Sequence, residues 1–285
     1  MVKISDTVAK FQTCKSMAKI RPFLKWAGSK YNCLSQILSS LPQGARLIEP
    51  FGGSGVIFLN TEYPSYLLGE INQDLINLFT SLQQDGEAFV HLCQQYFQPE
   101  YNQKEKYYEL RTKFNHLKDS QQKSAIFLYL NRHGYNGLCR YNSKGIYNVP
   151  FGLYKKPYFP HNEMMFFYQK SQQVHFVNHD FRSTFALAER GDIIYCDPPY
   201  VPITPKTKPL PYTKKKFEEQ DQIELAELAR ETAARGIPVI LSNHDTAFTR
   251  HHYAKAEIKS FQVARFINCQ GTFRQPVTEL VAVFK

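Results

Sequence analysis

Short apolar runs, each closed off by glycine, proline or an acid, alternate in this chain with longer stretches of helical periodicity. Arg46-Leu47-Ile48-Glu49 predicts a strand that feeds a glycine-bearing loop, Pro50-Phe51-Gly52-Gly53-Ser54-Gly55, and then the opening of a helix over 56–60. Tyr66-Leu67-Leu68-Gly69-Glu70 predicts a second strand ending in an acid. Ile193-Ile194-Tyr195-Cys196 enters from Gly191-Asp192 and leaves through Asp197-Pro198-Pro199-Tyr200, which reads as a fully buried strand with that tetrapeptide at its carboxyl end. Residues 221–234 form a helical pattern with Ile223, Leu225, Ala226, Leu228 and Ala229 on its apolar side and Gly236 past its end. Pro238 to Leu241 follows as another buried strand, running into Ser242-Asn243-His244-Asp245. Residues 258–266 and 277–284 then read as two strands joined by 268–275.

Between about residues 72 and 170 the pattern turns helical and polar. A long helix is expected over 74–97, and another over 123–132 with Ala125, Ile126, Tyr129 and Leu130 for a buried face. The second delivers Gly134-Tyr135-Asn136-Gly137-Leu138-Cys139-Arg140. Tyr141 and Tyr147 then flank Asn142-Ser143-Lys144-Gly145, a turn composition that predicts a hairpin of two short strands, slim enough to enter a DNA major groove. Residues 1–20 are basic, with Ile4, Val8 and Phe11 at helical spacing, and read as an extension. The stretch 201–216 holds four prolines and five lysines, cannot build a core, and reads as a flap.

A chain of 285 residues can bury a large core. Lys and Arg number 35 against 25 Asp and Glu, a net charge of +10, which favours a polyanionic partner, nucleic acid before a membrane surface. Cys14, Cys33, Cys93, Cys139, Cys196 and Cys269 contain no Cys-x-x-Cys pair, so neither a zinc site nor a disulfide framework is expected. With no signal-peptide core and no apolar stretch of membrane-span length, the expected location is the cytoplasm.

The candidate chemistry gathers at predicted strand ends. Asp197, the Pro198 carbonyl and the Tyr200 ring offer two acceptors and an aromatic face, which match an exocyclic amine on a flat base; the same four residues would also serve an ordinary strand-to-turn transition. No Lys-Ser/Thr follows the glycines at 52–55, so a phosphate-cradling loop is not expected. Glu70 lies 18 positions after Gly52, near the spacing at which dinucleotide folds set a carboxylate on ribose hydroxyls.

Four blocks, Phe23 to Lys30, Glu49 to Gly55, Asn131 to Pro150 and Asp197 to Tyr200, stand in the order in which they occur in the Dam family of DNA adenine-N6 methyltransferases, and from about Arg21 to Lys285 the chain resembles that family. The resemblance implies an α/β Rossmann-like S-adenosylmethionine-dependent methyltransferase core from residues 21–72 and 171–285, closed by an antiparallel hairpin. A mostly helical target-recognition insertion, 73–170, would carry the β-hairpin. It implies Asp197, Pro198 and Tyr200 as catalytic residues and Trp26, Lys30, Phe51, Gly52, Gly53, Gly55, Glu70 and Asp197 as the cofactor site. It further implies Lys25, Tyr135, Asn136, Leu138, Arg140, Asn142, Asn148 and Pro150 at double-stranded DNA containing GATC, with Arg140 reading a guanine and Lys155 and Lys156 on phosphate. Glu70 stands where many members carry Asp, and Leu153 where relatives often carry a basic residue. A monomer without metal is expected. The rivals are a regulator that binds DNA without catalysis and methylation of another planar amine; a zinc deaminase is excluded because no His-x-Glu with Pro-Cys-x-x-Cys occurs.

Overall fold

The computed structural model describes residues 19–201, 217–263 and 276–285. The elements follow the chain as α1 (Leu34–Leu38), β1 (Arg46–Glu49), α2 (Val56–Leu59), β2 (Ser65–Gly69), α3 (Gln73–Gln94), α4 (Lys104–His116), α5 (Gln121–His133) and α6 (His161–Ser171). They continue as β3 (Val174–Val177), α7 (Phe181–Phe185), β4 (Asp192–Cys196), α8 (Glu219–Ala234), β5 (Val239–His244), α9 (Ala247–His252), β6 (Glu257–Val263) and β7 (Val277–Phe284). The strands form one seven-stranded sheet in the order β3-β2-β1-β4-β5-β7-β6. Strands β1 to β5 run parallel, and β7 inserts antiparallel between β5 and β6.

This order contains a reversal. From β1 the chain winds outward through β2 and β3, then returns to place β4 on the other side of β1. A crevice opens outside the carboxyl ends at such a switch point, because the loops leaving the two strands diverge. Glu49, Glu70 and Asp197 all stand at that edge, at or just beyond the ends of β1, β2 and β4.

The strands read as unbroken apolar runs because both faces of the sheet are covered. Successive side chains divide between two cores. Leu47, Ile193, Tyr195 and Ile240 face one cluster with α3, α5 and α6; Ile48, Ile194, Cys196 and Leu241 face the other with α7 and α8. The first cluster does not stop at the insertion. Phe167 of α6 meets Phe23 at 5.1 Å, Phe79 at 4.7 Å, Phe58 at 5.6 Å and Phe176 at 6.1 Å, so rings from the sheet side and the insertion share one aromatic core.

The expected elements over 46–49, 66–70, 193–196, 221–234 and 277–284 are present within two residues at each end. The helix expected over 74–97 ends at Gln94 and is kinked at Gly86, whose φ is 47°. Strand β3 has no counterpart in the reading of the sequence; four residues containing His175, buried at the two ends only, carry too little pattern. The predicted hairpin is not made of strands. It is reduced to an isolated antiparallel bridge between Tyr141 and Tyr147, flanked by bonds from Asn142 N to the Ile146 carbonyl at 3.0 Å and from Asn148 N to the Arg140 carbonyl at 3.1 Å, while the two rings turn towards the helices. Residues 1–18 of the extension expected over 1–20, 202–216 of the stretch 201–216, 264–266 of the strand expected over 258–266, and the connection 268–275 lie outside the described residues.

Removing the Phe167 ring opens a cavity at the junction of sheet and insertion, with an expected cost of about 3–5 kcal/mol. Chemical denaturation of Phe167→Ala, followed by circular dichroism and by Trp26 fluorescence, should show one earlier transition by both probes; two separated transitions would contradict a shared core.

Candidate active site

The acid after β4 is held from several sides. Lys30, in a short 3-10 turn (Lys30–Cys33), reaches Asp197 Oδ1 at 3.0 Å, donates to the Gly28 carbonyl at 2.8 Å and lies 4.2 Å from the centre of the Tyr200 ring. Ser242 Oγ also donates to Asp197 Oδ1, at 3.2 Å. Burial by itself would lower the Lys30 ammonium, yet the Asp197 and Glu279 carboxylates raise it above the ordinary value, so it stays charged. Withdrawal from water raises the Asp197 carboxyl, and Lys30 with the Ser242 hydroxyl opposes that rise.

The turn carrying Asp197 to Tyr200 is backed by the end of β5. Asn243 Oδ1 accepts from Val201 N at 3.1 Å, His244 Nδ1 lies 2.8 Å from the Val201 carbonyl, and Gln222 of α8 donates to the Pro199 carbonyl. Asn243 Nδ2 in turn donates to Gln222 Oε1 at 3.1 Å. Tyr200 donates to Glu279 Oε2 at 3.1 Å and meets the His244 ring edge-on at 4.8 Å. Pro198 is buried. Ser242-Asn243-His244 was legible as a polar strand end. Glu279 had no signal, because only the antiparallel register that opposes it to His244 brings it near Tyr200.

Across the switch point lies the glycine loop. Gly52 N donates to the Gly69 carbonyl at 2.9 Å, and Gly53 N donates to Glu70 Oε2 at 3.2 Å. Glu70 Oε1 accepts from Asn72 N at 3.0 Å. Gly53 is left-handed, φ 49°, and a Cβ there would sit 3.2 Å from the Trp26 indole nitrogen, so the loop backbone and the indole face one another closely. Gly55, φ 72°, starts α2. Phe51 stacks on Phe181 at 5.7 Å and meets Phe217 edge-on at 5.6 Å. Glu49 is 2% exposed, and its Oε1 has no hydrogen-bond partner among the described residues. Burial pushes its carboxyl up to about 8, with the nearby Asp197 adding to the rise.

Several of the residues expected at DNA lie against one another near the end of α5. Asn131, at the end of α5, accepts from Lys25 N at 2.9 Å, and Lys25 Nζ lies 3.9 Å from the Tyr154 ring centre. Tyr135 and Asn136 are exposed, with Asn136 left-handed at φ 53°. Tyr135 N donates to the Pro150 carbonyl at 2.9 Å, and Leu138 packs partly against the core. Arg140 folds onto Asn148, donating from Nε to Oδ1 at 2.8 Å and from Nη2 to the backbone carbonyl at 3.1 Å. The Asn142 oxygen accepts from Lys144 N and Ile146 N, both at 3.0 Å, so it holds its own turn. Leu153 is 82% exposed in a left-handed conformation, φ 53°, beside exposed Lys155 and Lys156.

Sheet order, switch point and the polar edge of β1, β2 and β4 define an open α/β, Rossmann-like fold with a crevice at its carboxyl edge. The chain belongs to the D12 class N6 adenine-specific DNA methyltransferases, whose family profile matches residues 26–267. A DNA adenine methylase of Vibrio cholerae O395 is 46% identical over 269 residues, 94% of this chain and 97% of that protein. One from Escherichia coli K12 is 44% identical over 269 residues with the same coverage. Among solved structures, the C-terminal domain of precorrin-6Y C5,15-methyltransferase from Rhodobacter capsulatus aligns at 11% identity and a TM-score of 0.41, covering 94% of this chain and 99% of that one. That likeness is too distant to bear on the site. The protein is therefore an adenine-specific DNA methyltransferase that uses a methyl-donor cofactor. Among the described residues no group of three His, Cys, Asp or Glu could hold a metal ion, and no helix is long and apolar enough to cross a membrane.

The raised Glu49 carboxyl carries a stability consequence. A folded-state value near 8 against an ordinary one of 4.5 means the folded protein keeps a proton that the unfolded chain loses. This contribution is fully present below about pH 4.5 and is lost as pH rises through 8. Denaturation measured from pH 5 to 9 should show Glu49→Gln gaining on wild type as pH rises, by on the order of a few kcal/mol; parallel profiles would show that Glu49 ionises normally.

Proposed function

We propose that this enzyme methylates adenine N6 within GATC in duplex DNA, with S-adenosylmethionine as the donor. The observation that carries the reading is the pair of buried Lys30 with Asp197, set against the Tyr200 ring at the carboxyl end of β4. An adenine amine is a weak nucleophile because its lone pair is delocalised into the ring. An ionised carboxylate and a neighbouring carbonyl that accept both N–H groups draw that lone pair out of conjugation. Asp197 must be ionised for this, and Lys30 favours the ionised form. The Pro198 carbonyl is the second acceptor in this reading, and Tyr200 is the platform.

A target base cannot reach Asp197 while stacked in the duplex, so it must flip out, at a cost on the order of a few kcal/mol. Stacking on Tyr200, worth about 1–3 kcal/mol, offsets part of it. With amine and methyl group held in line, positioning supplies the rate. No metal enters this scheme.

The residues present suit S-adenosylmethionine. Glu70 offers carboxylate oxygens to ribose hydroxyls from the end of β2, and Phe51 with Trp26 offers apolar walls for an adenine. The unpartnered Glu49 Oε1 is an acceptor in want of a donor, as an amino group would be. The glycine loop, lacking a lysine, fits a nucleoside without phosphates. When bound, the cofactor supplies an electrophilic sulfonium methyl.

For recognition, Arg140 is assigned to guanine, worth about 1–3 kcal/mol of discrimination. Asn148, which orients its guanidinium, stands behind it. Lys25, Tyr135, Asn136, Leu138, Asn142 and Pro150 complete the surface, and Lys155 and Lys156 ride on phosphate. Leu153 supplies no charge there, which lowers the number of phosphate contacts by one relative to a basic residue. The reading puts the enzyme on DNA in the cytoplasm, a reducing compartment that suits the buried free thiols Cys33, Cys93, Cys139 and Cys196, and by family resemblance takes it as a monomer.

Labelled methyl transfer to two duplexes, identical except for GATC or a scrambled tetramer, should yield N6-methyladenine in the first alone. Asp197→Ala should abolish turnover and keep DNA binding, while Arg140→Ala should narrow the gap between the two duplexes by about tenfold. Lys30→Met removes the cation that opposes the rise at Asp197, so the acid limb of the single-turnover pH–rate profile should move to higher pH. An unmoved limb would detach Lys30 from the acid.

A further inference from the structure

Residues 25–30 are fastened at both ends. At the far end, Lys30 sits on Asp197 and Tyr200. At the near end, the carboxamide of Asn131 accepts from Lys25 N at 2.9 Å and donates to the Lys25 carbonyl at 2.7 Å and to the Gly137 carbonyl at 3.2 Å. Asn131 is 1% exposed, so these bonds have no water to exchange with, and breaking them leaves buried backbone groups unpaired. Gly137, φ 63°, closes the turn that bears Tyr135, Asn136 and Leu138. A Cβ on it would come within 2.3 Å of Lys25 Cβ, so turn and segment are in direct contact as well as bonded.

The geometry points to Asn131 as a positioning residue that couples base reading to the catalytic acid. It bonds both polar groups of the Lys25 backbone as a neighbouring strand would, and it holds the recognition turn with the same amide. A shift of the turn on meeting the correct tetramer therefore moves Lys25, and the short, internally tied segment ending in Lys30 carries the shift to Asp197. The tie within it is the bond from Ser29 N to the Trp26 carbonyl, at 3.3 Å, together with that from Lys30 to the Gly28 carbonyl. A wrong tetramer is then penalised in the methyl-transfer step and not only in binding. This rests on the assignment of Asp197 and of residues 135–138 made above.

The test is single-turnover methyl transfer at saturating DNA and cofactor, on GATC and on a tetramer changed at one base. Two variants are compared with wild type. Asn131→Ala removes all three bonds; Gly137→Ala sets a methyl group against the Lys25 stem at a buried, left-handed position, so turn and segment must shift apart, and circular dichroism establishes that each variant folds. In Gly137→Ala, and in Asn131→Ala if it folds, the cognate rate should fall roughly tenfold while the near-cognate rate and the DNA dissociation constant each change less than about threefold. A purely structural role would lower both rates by one factor; that result, unaltered rates, or a loss confined to DNA affinity would overturn the coupling. Wild type that fails to methylate GATC would overturn the functional reading itself, whereas wild-type discrimination preserved in Gly137→Ala would sink the coupling alone.

Discussion

The structure turns on an ion pair that is expensive to bury. Lys30 and Asp197 meet at 3.0 Å with the lysine side chain almost wholly out of water. Taking two charges out of water costs several kcal/mol each, and mutual attraction repays this only when the geometry is good and other hydrogen bonds help. Here the Gly28 carbonyl, Ser242 Oγ, the Tyr200 ring and the field of Glu279 supply that help. Replacing a buried ion pair by apolar residues of similar size is often neutral or stabilising, so stability alone is a weak reason for the pair. What the pair supplies instead is a cation that opposes the rise which withdrawal from water imposes on the Asp197 carboxyl, as the proposed chemistry on an amine requires.

The fold can be read as the means of delivering that carboxylate. Strand β4 lies in mid-sheet between β1 and β5, covered on both faces, so its end is stiff. The turn after it is fixed from three elements: β5 through Ser242, Asn243 and His244, α8 through Gln222, and β7 through Glu279. The parallel strands bring the glycine loop and Glu70 to the same edge. The antiparallel β7 contributes differently, because its direction lets Glu279 face His244 across the register.

The helical insertion is less separate than its polar composition suggests. Its α3, α5 and α6 share one buried cluster with the sheet, and the end of α5 bonds directly to the segment that reaches Asp197. The insertion and the sheet are therefore parts of one packed body. Among the residues proposed to read DNA, the Arg140 guanidinium is held by Asn148 and the Asn142 side chain caps its own turn.

The sequence alone determined the buried strands at 46–49, 66–70 and 193–196, because two-faced burial leaves continuous apolar runs, and it determined that Asp197 to Tyr200 closes one of them. It also determined the glycine loop and the acid at Glu70, whose spacing is local. It did not reveal β3, which is too short to show a period, and it overstated the hairpin, which is a single bridge between Tyr141 and Tyr147. The tertiary structure decided the partners. Lys30 lies 167 positions from Asp197, Glu279 lies 79 from Tyr200, and Asn131 lies 106 from Lys25. No pattern within a window links such pairs, because sheet order, register and helix packing set them, and these are properties of the whole chain.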